Sequence, residues 1–205
     1  MVSAQYVDPN VSRAKFDREI AEFQALEDQH RKRGWLLVRA EFPNVLVLLA
    51  TAKTMPISIV MGVAFDYSNY DAAPPSVRLV HPLTGVPYQT AQLPTALNRM
   101  LPSQPVSLQG QVPGVGQPQI VVMPQQSLMQ SYGPDEIPFL CLAGVREYHE
   151  HPAHSGDLWE LHRTSGAGRL VRLLEIISKY GVDPITGFGV QLKPVVGFNF
   201  GQPPA

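Results

Sequence analysis

Three apolar runs follow one another almost without a gap: Trp35 to Phe42, Val45 to Ala52 and Pro56 to Phe65, each rich in Val, Leu or Ile. Such residues favour strands, and linkers this short leave no room for the crossover that a parallel pair needs. Three sequential antiparallel strands are expected, with Pro43-Asn44 as a tight turn. A fourth is expected over Val77 to Val80. It is entered through the rigid Pro74-Pro75 pair, which cannot donate to a central ladder.

Ahead of this meander, Phe16, Ile20, Phe23 and Leu26 recur at helical spacing among charged Asp17, Arg18, Glu19 and Glu22, so one amphipathic helix is expected between Val11 and Arg33. Gly34 should stop it by adopting positive φ, and Arg31, Lys32 and Arg33 suit the negative helix end. Near the other terminus, the stripe Leu170, Leu173, Leu174, Ile177 predicts a second helix, with Gly181 and Pro184 as stop signals. Beyond Gly187, the tail reads as an extended strand or a loose wrap.

Between them, Ala72 to Pro134 contains no acidic residue and only two basic ones, Arg78 and Arg99, while Pro and Gln accumulate after Val86. Residues 86–134 therefore read as a low-charge insertion, either a surface loop or a partner-binding arm, with one possible strand at Gln119 to Met123. We expect one domain over residues 1–205. The 44% apolar content excludes a mostly disordered chain, and the net charge of −1 argues against nucleic-acid binding through a basic field. A single cysteine and an N-terminus without a secretory pattern lead us to expect reducing cytoplasm. Runs such as Val45 to Ala50 fall short of the roughly 20 residues of a membrane helix, so no membrane span is expected.

The segment Cys141 to Arg163 holds the only cysteine and four of the six histidines. If Cys141 to His151 is extended, Cys141, Glu147, His149 and His151 share a face. A helix would instead align Glu147, His151 and His154, but Pro152 opposes it, so a strand followed by a loop is the preferred reading. The loop after Pro152 could then bend His154 back, giving a zinc ligand set from His149, His151 and His154 with Cys141 or Glu147. The same thiol could act as a nucleophile, with His149 or Glu147 as the base. Asp157, Trp159, His162 and Arg163 read as support for these groups.

The order of a helix, three antiparallel strands and then FDYSNYDAAPPSVRLVHP resembles the ubiquitin-conjugating (E2) fold. The residues matching its pattern before and within the fourth strand are Tyr70, Pro74, Pro75, Val77, Arg78 and Leu79. IPFLCLAG around Cys141, then Trp159, then the Leu170 to Tyr180 helix follow the order of that family's nucleophile, tryptophan loop and helices. The connection from Leu83 to Glu136 is longer than in the family, and the closest match to its His-Pro-Asn tripeptide is His81-Pro82-Leu83. The pattern of Cys141, Glu147 and two of His149, His151 and His154 also resembles the CEHH predicted metal-binding family, found beside bacterial ubiquitin-like conjugation components.

These resemblances imply an α+β, E2-like domain in a bacterial ubiquitin-like conjugation pathway, with an E1-like activating enzyme and a ubiquitin-like modifier as partners. Cys141 would accept the modifier as a thioester. The alternative is a non-catalytic module of the same fold in which Cys141 is a zinc ligand. A metal-dependent hydrolase is a third reading.

Overall fold

The computed structural model describes residues 5–102, 104–107, 119–122 and 124–189, the two four-residue segments by backbone alone. Helix α1, Pro9–Ala25, is capped by Asp8, whose side chain accepts from the Asn10 N–H at 2.9 Å. It buries Phe16, Ile20 and Phe23 as its spacing predicted. The single helix expected through Arg33 is instead two, because the chain bends at Leu26 (φ −118°, ψ 22°) before α2, Glu27–Lys32. That bend turns His30 inward, where its ring stacks between Phe23 at 4.4 Å and Trp35 at 5.1 Å. Gly34 ends the helical stretch at φ +81°, and a β-carbon there would lie 2.2 Å from the Ala50 carbonyl oxygen.

The meander forms as expected. Strands β1 (Trp35–Glu41), β2 (Asn44–Thr51), β3 (Ser58–Asp66) and β4 (Ser76–Val80) make one antiparallel sheet in that order. Alternation sends Val45, Val47, Leu49, Met61, Val63, Phe65, Val77 and Leu79 to one buried cluster, which the apolar sides of α1 and the C-terminal helix complete. After β4 the chain turns at His81-Pro82 and comes back, so that Val80 pairs with Pro87.

The low-charge insertion carries more structure than a loop. After a 3-10 turn at Thr90–Gln92, β5 (Asn98–Met100) and β6 (Gln104–Ser107) are followed by β7 (Gln119–Val122), β8 (Gln125–Ser127) and β9 (Met129–Gln130). β5 pairs with β8, β6 with β7, and β9 with β10 (Phe139–Leu140). The strand expected at Gln119 is therefore β7. Leu97 and Leu128, both from the insertion, belong to the central core. The segment read as a surface loop or partner-binding arm thus also supplies two core residues.

The last third of the described chain is helical: α3 (Arg146–Glu150), a 3-10 turn at Pro152–His154, α4 (Glu160–Arg163) and α5 (Leu170–Ile177). The stripe of α5 is buried as predicted, and a π-helical turn at Ser178–Val182 extends it before Pro184. Gly181 in that turn lies against Leu97. The tail beyond residue 189 lies outside the described residues. Among the described residues, no helix is long and apolar enough to cross a membrane.

Candidate functional site

Cys141 follows β10 directly, and its N–H donates to the Leu128 carbonyl at 2.8 Å. The turn that follows is clamped from two directions. A β-carbon on Gly144 would meet the Ala167 carbonyl oxygen at 2.0 Å, so only glycine admits that approach. Arg146 reaches the loop before β4: its N–H donates to Pro75 O (2.9 Å) and its guanidinium to Pro74 O (3.2 Å) and Ser68 O (2.7 Å).

The strand expected from Cys141 to His151 is therefore corrected to two residues of strand, a turn and α3. Pro152 does not prevent the helix, because α3 ends at Glu150 and the proline opens the next 3-10 turn, where a missing N–H costs nothing.

This changes which side chains meet. Glu147 turns away from the thiol toward β4, accepting hydrogen bonds from the Ser76 hydroxyl and the Val77 N–H (3.4 Å) and pairing with Arg78 at 3.1 Å. His149 directs Nδ1 at Asp157 O (2.7 Å) and Nε2 at Ala143 O (2.6 Å). Carbonyl oxygens only accept, so a neutral ring donates to one of the two, and both ring nitrogens face backbone rather than Cys141. The expected grouping of Glu147 and His149 with Cys141 does not form: the first faces Ser76, Val77 and Arg78, the second two backbone carbonyls. His151 contacts the Tyr132 hydroxyl through Nε2, and its Nδ1 accepts from the Ala153 N–H at 3.2 Å.

His154 is the histidine that meets the cysteine, with Nε2 3.6 Å from Cys141 Sγ and 3.4 Å from Gln130 Oε1. Tyr148 stacks on its ring at 4.0 Å and 21°, fixing the plane of the imidazole. Tyr148 is itself held through its hydroxyl, which donates to Asp157 Oδ2 at 2.6 Å, while Asp157 Oδ1 lies 2.5 Å from His162 Nε2. The Asp157 acceptor pushes the Tyr148 pKa up to about 12, and the bonds from Tyr148 and His162 hold Asp157 below the usual carboxylate range. Trp159 donates to Asp71 O at 2.8 Å, anchoring the start of α4. Of the four residues expected as support, Asp157 and His162 brace Tyr148, whereas Trp159 and Arg163 (3.4 Å from the carboxylate) bind Asp71 instead.

The pair opens on a cavity of about 320 Å³ lined by Cys141, His154, Tyr148, Arg99, Gln126 and Leu128, among others. Cys141 is partly buried, and that burial pushes its thiol up, with the Arg99 charge pulling the other way. A reaction at this sulfur would therefore depend on a nearby base to take its proton. A second cavity of about 480 Å³ beside α1 is lined by Arg18, Arg163 and Arg169 together with Glu22 and Asp71, with neither a cysteine nor a histidine.

Zinc held by four side chains needs them to converge. Among the described residues, no three of His, Cys, Asp and Glu gather in a way that could hold a metal ion. Of the five residues singled out as ligands, Cys141, His154 and His151 stay on one side, with the two histidine rings 5.5 Å apart, and Glu147 and His149 do not join them. The present side chains do not fit a closed zinc site.

Gln130, Tyr148 and Arg99 were not anticipated. Gln130 and Tyr148 carry no sequence signal, since only the β9–β10 pairing and α3 bring them to His154. Arg99 did carry one, as the only charged residue from Val86 to Pro134.

The model of the Y4jH-like family (Y4jH family) matches residues 7–185. The chain is also 40% identical over 203 residues to "Uncharacterized protein y4jH" of Sinorhizobium fredii (strain NBRC 101917 / NGR234), covering 96% of this chain and 95% of that relative. The chain belongs to the Y4jH-like family.

Proposed function

We propose that this member of the Y4jH-like family is an E2-like carrier that accepts the C-terminus of a ubiquitin-like modifier on Cys141 as a thioester. An E1-like enzyme would be the donor. The observation that carries the reading is the 3.6 Å approach of His154 Nε2 to Cys141 Sγ at the edge of a cavity. The order α1, four-stranded meander, Pro74-Pro75 before β4, Cys141, Trp159 and α5 supports the E2-like part.

Chemically, His154 takes the Cys141 proton as sulfur attacks the carbonyl carbon of the incoming thioester. A tetrahedral adduct forms, its C–S bond to the E1 cysteine breaks, and the proton passes to that departing thiolate. The modifier is now on Cys141, and a second attack, by an amine, would release it. His154 replaces Glu147 and His149 as the base because it alone of the three reaches the sulfur.

The test mixes the protein with an E1-like enzyme, its modifier and ATP, and compares wild type with Cys141→Ala and Cys141→Ser by denaturing mass spectrometry. A thiol-labile adduct is expected on wild type, a stable ester on the serine variant and nothing on the alanine variant. With active partners, absence of a wild-type adduct refutes the carrier. Native mass spectrometry showing one tightly held metal that blocks alkylation of Cys141 would favour the zinc-binding module instead.

A further inference from the structure

The insertion places its one charge in the cavity beside Cys141. From Val86 to Pro134, Arg99 is the only charged residue, and among the described residues no other side chain lining that cavity carries a fixed charge. β5 carries Arg99 and β8 carries Gln126, and their pairing puts the two side chains opposite each other. Gln126 Oε1 accepts from Arg99 Nε at 2.8 Å and also from Nη2. Held by a neutral amide, the guanidinium is oriented without its charge being cancelled.

Acyl transfer to sulfur creates a new charge. As Sγ bonds to the carbonyl carbon, the π electron pair moves onto the oxygen, and it returns when the old C–S bond breaks. A cation aimed at that oxygen lowers the barrier because it meets more charge in the transition state than in the ground state. Among the described residues Arg99 is the permanent cation of the lining, beside the His154 imidazolium that forms as the proton is taken and the uncharged donors of Tyr148, Gln126 and Ser127.

We propose that Arg99 is the oxyanion-binding catalytic residue of the Cys141 site, contributed by the insertion. The proposal rests on the acyl-carrier reading and adds a role to it. Arg99 also lies close enough to favour the thiolate, so the experiment has to separate help to the sulfur from help to the oxygen.

The probe is a small neutral thioester, the S-phenyl ester of N-acetylglycine. It acylates the intact protein at Cys141 and releases thiophenol, which is followed by stopped flow. Alkylation by iodoacetamide, which forms no oxyanion, is measured in parallel and reports thiolate supply alone. Arg99→Gln and Arg99→Lys are compared with wild type. Because residue 99 is exposed, both variants are expected to fold, as circular dichroism will verify.

Acylation in the glutamine variant should fall at least about ten-fold, a conservative figure beside the 10²–10³ of a fully enclosed donor. Alkylation should fall no more than about three-fold, and lysine should recover part of the lost acylation. Equal losses in both reactions, or no loss in either, would overturn the role of Arg99 while leaving the carrier reading intact. Failure of wild type to be acylated while iodoacetamide still labels Cys141 would overturn the carrier reading and this proposal with it.

Discussion

Leu97 gives the sharpest measure of whether the insertion belongs to the core. It sits in the low-charge segment, is fully buried and packs near Gly181 of the π-helical turn after α5. Replacing it with alanine deletes three side-chain carbons. At ~0.8 kcal/mol per buried carbon the transfer loss is about 2.5 kcal/mol, and an incompletely collapsed cavity brings the total to roughly 3–4 kcal/mol. Leu97 has φ +40°, and alanine retains the β-carbon responsible for the backbone cost, so the substitution isolates packing. In a chain of this size the melting temperature should fall by roughly 10 °C. The assay is urea and thermal unfolding by circular dichroism, with exposed Val86→Ala as a control expected to lie within ~0.5 kcal/mol of wild type. A Leu97→Ala variant within about 1 kcal/mol of wild type would refute the reasoning and restore the insertion as a dispensable arm.

Two further outcomes test the assignments around the site and the core. Glu147→Gln should destabilise the fold by about 1–2 kcal/mol, because it strips the charge from a half-buried pair with Arg78, yet leave iodoacetamide alkylation of Cys141 unchanged; a large fall in alkylation would return Glu147 to the chemistry. Among the described residues none partners either ring nitrogen of His30 in the core, and burial lowers its pKa below 6.5. The unfolded chain therefore takes up the proton first, and stability present above pH 6.5 is lost as pH falls toward the folded pKa. His30→Phe, which preserves the stack, should show a smaller loss between pH 7.5 and 5.5 in urea titrations; an unchanged slope would show that other groups govern the acid limb.

The parts of the fold legible in the sequence are those with a local cause. The meander follows from composition and short linkers, Gly34 from a backbone angle that a β-carbon resists, and α5 from four apolar residues on one face. What stayed hidden depends on contacts between distant segments. α3 is only five residues long, and the ties of Arg146 and Glu147 to the segment around β4 hold it in place. Those ties also turn Glu147 away from Cys141, which the odd-number alternation of a strand could not foresee. His154 did belong to the cluster, but its partnership with Cys141 needs the 3-10 turn at Pro152 and the tyrosine stacked on it. Leu97 and Leu128 look like ordinary residues of a polar tract, and only their burial shows that they belong to the core.

The tight approach of Gly144 to Ala167 also bears on the order of assembly. The cysteine turn leans on the loop before β4 through a contact spanning some seventy positions of sequence, and on the loop before α5 through one that closes later in the chain. Closing such distant loops costs entropy that local structure does not repay. During synthesis, the thiol can be built and exposed while the segment that braces its turn is still inside the ribosome. The completed site therefore reports on the whole domain: a nascent or clipped chain lacking the stretch around Ala167 would keep a cysteine but lose the brace that fixes its turn.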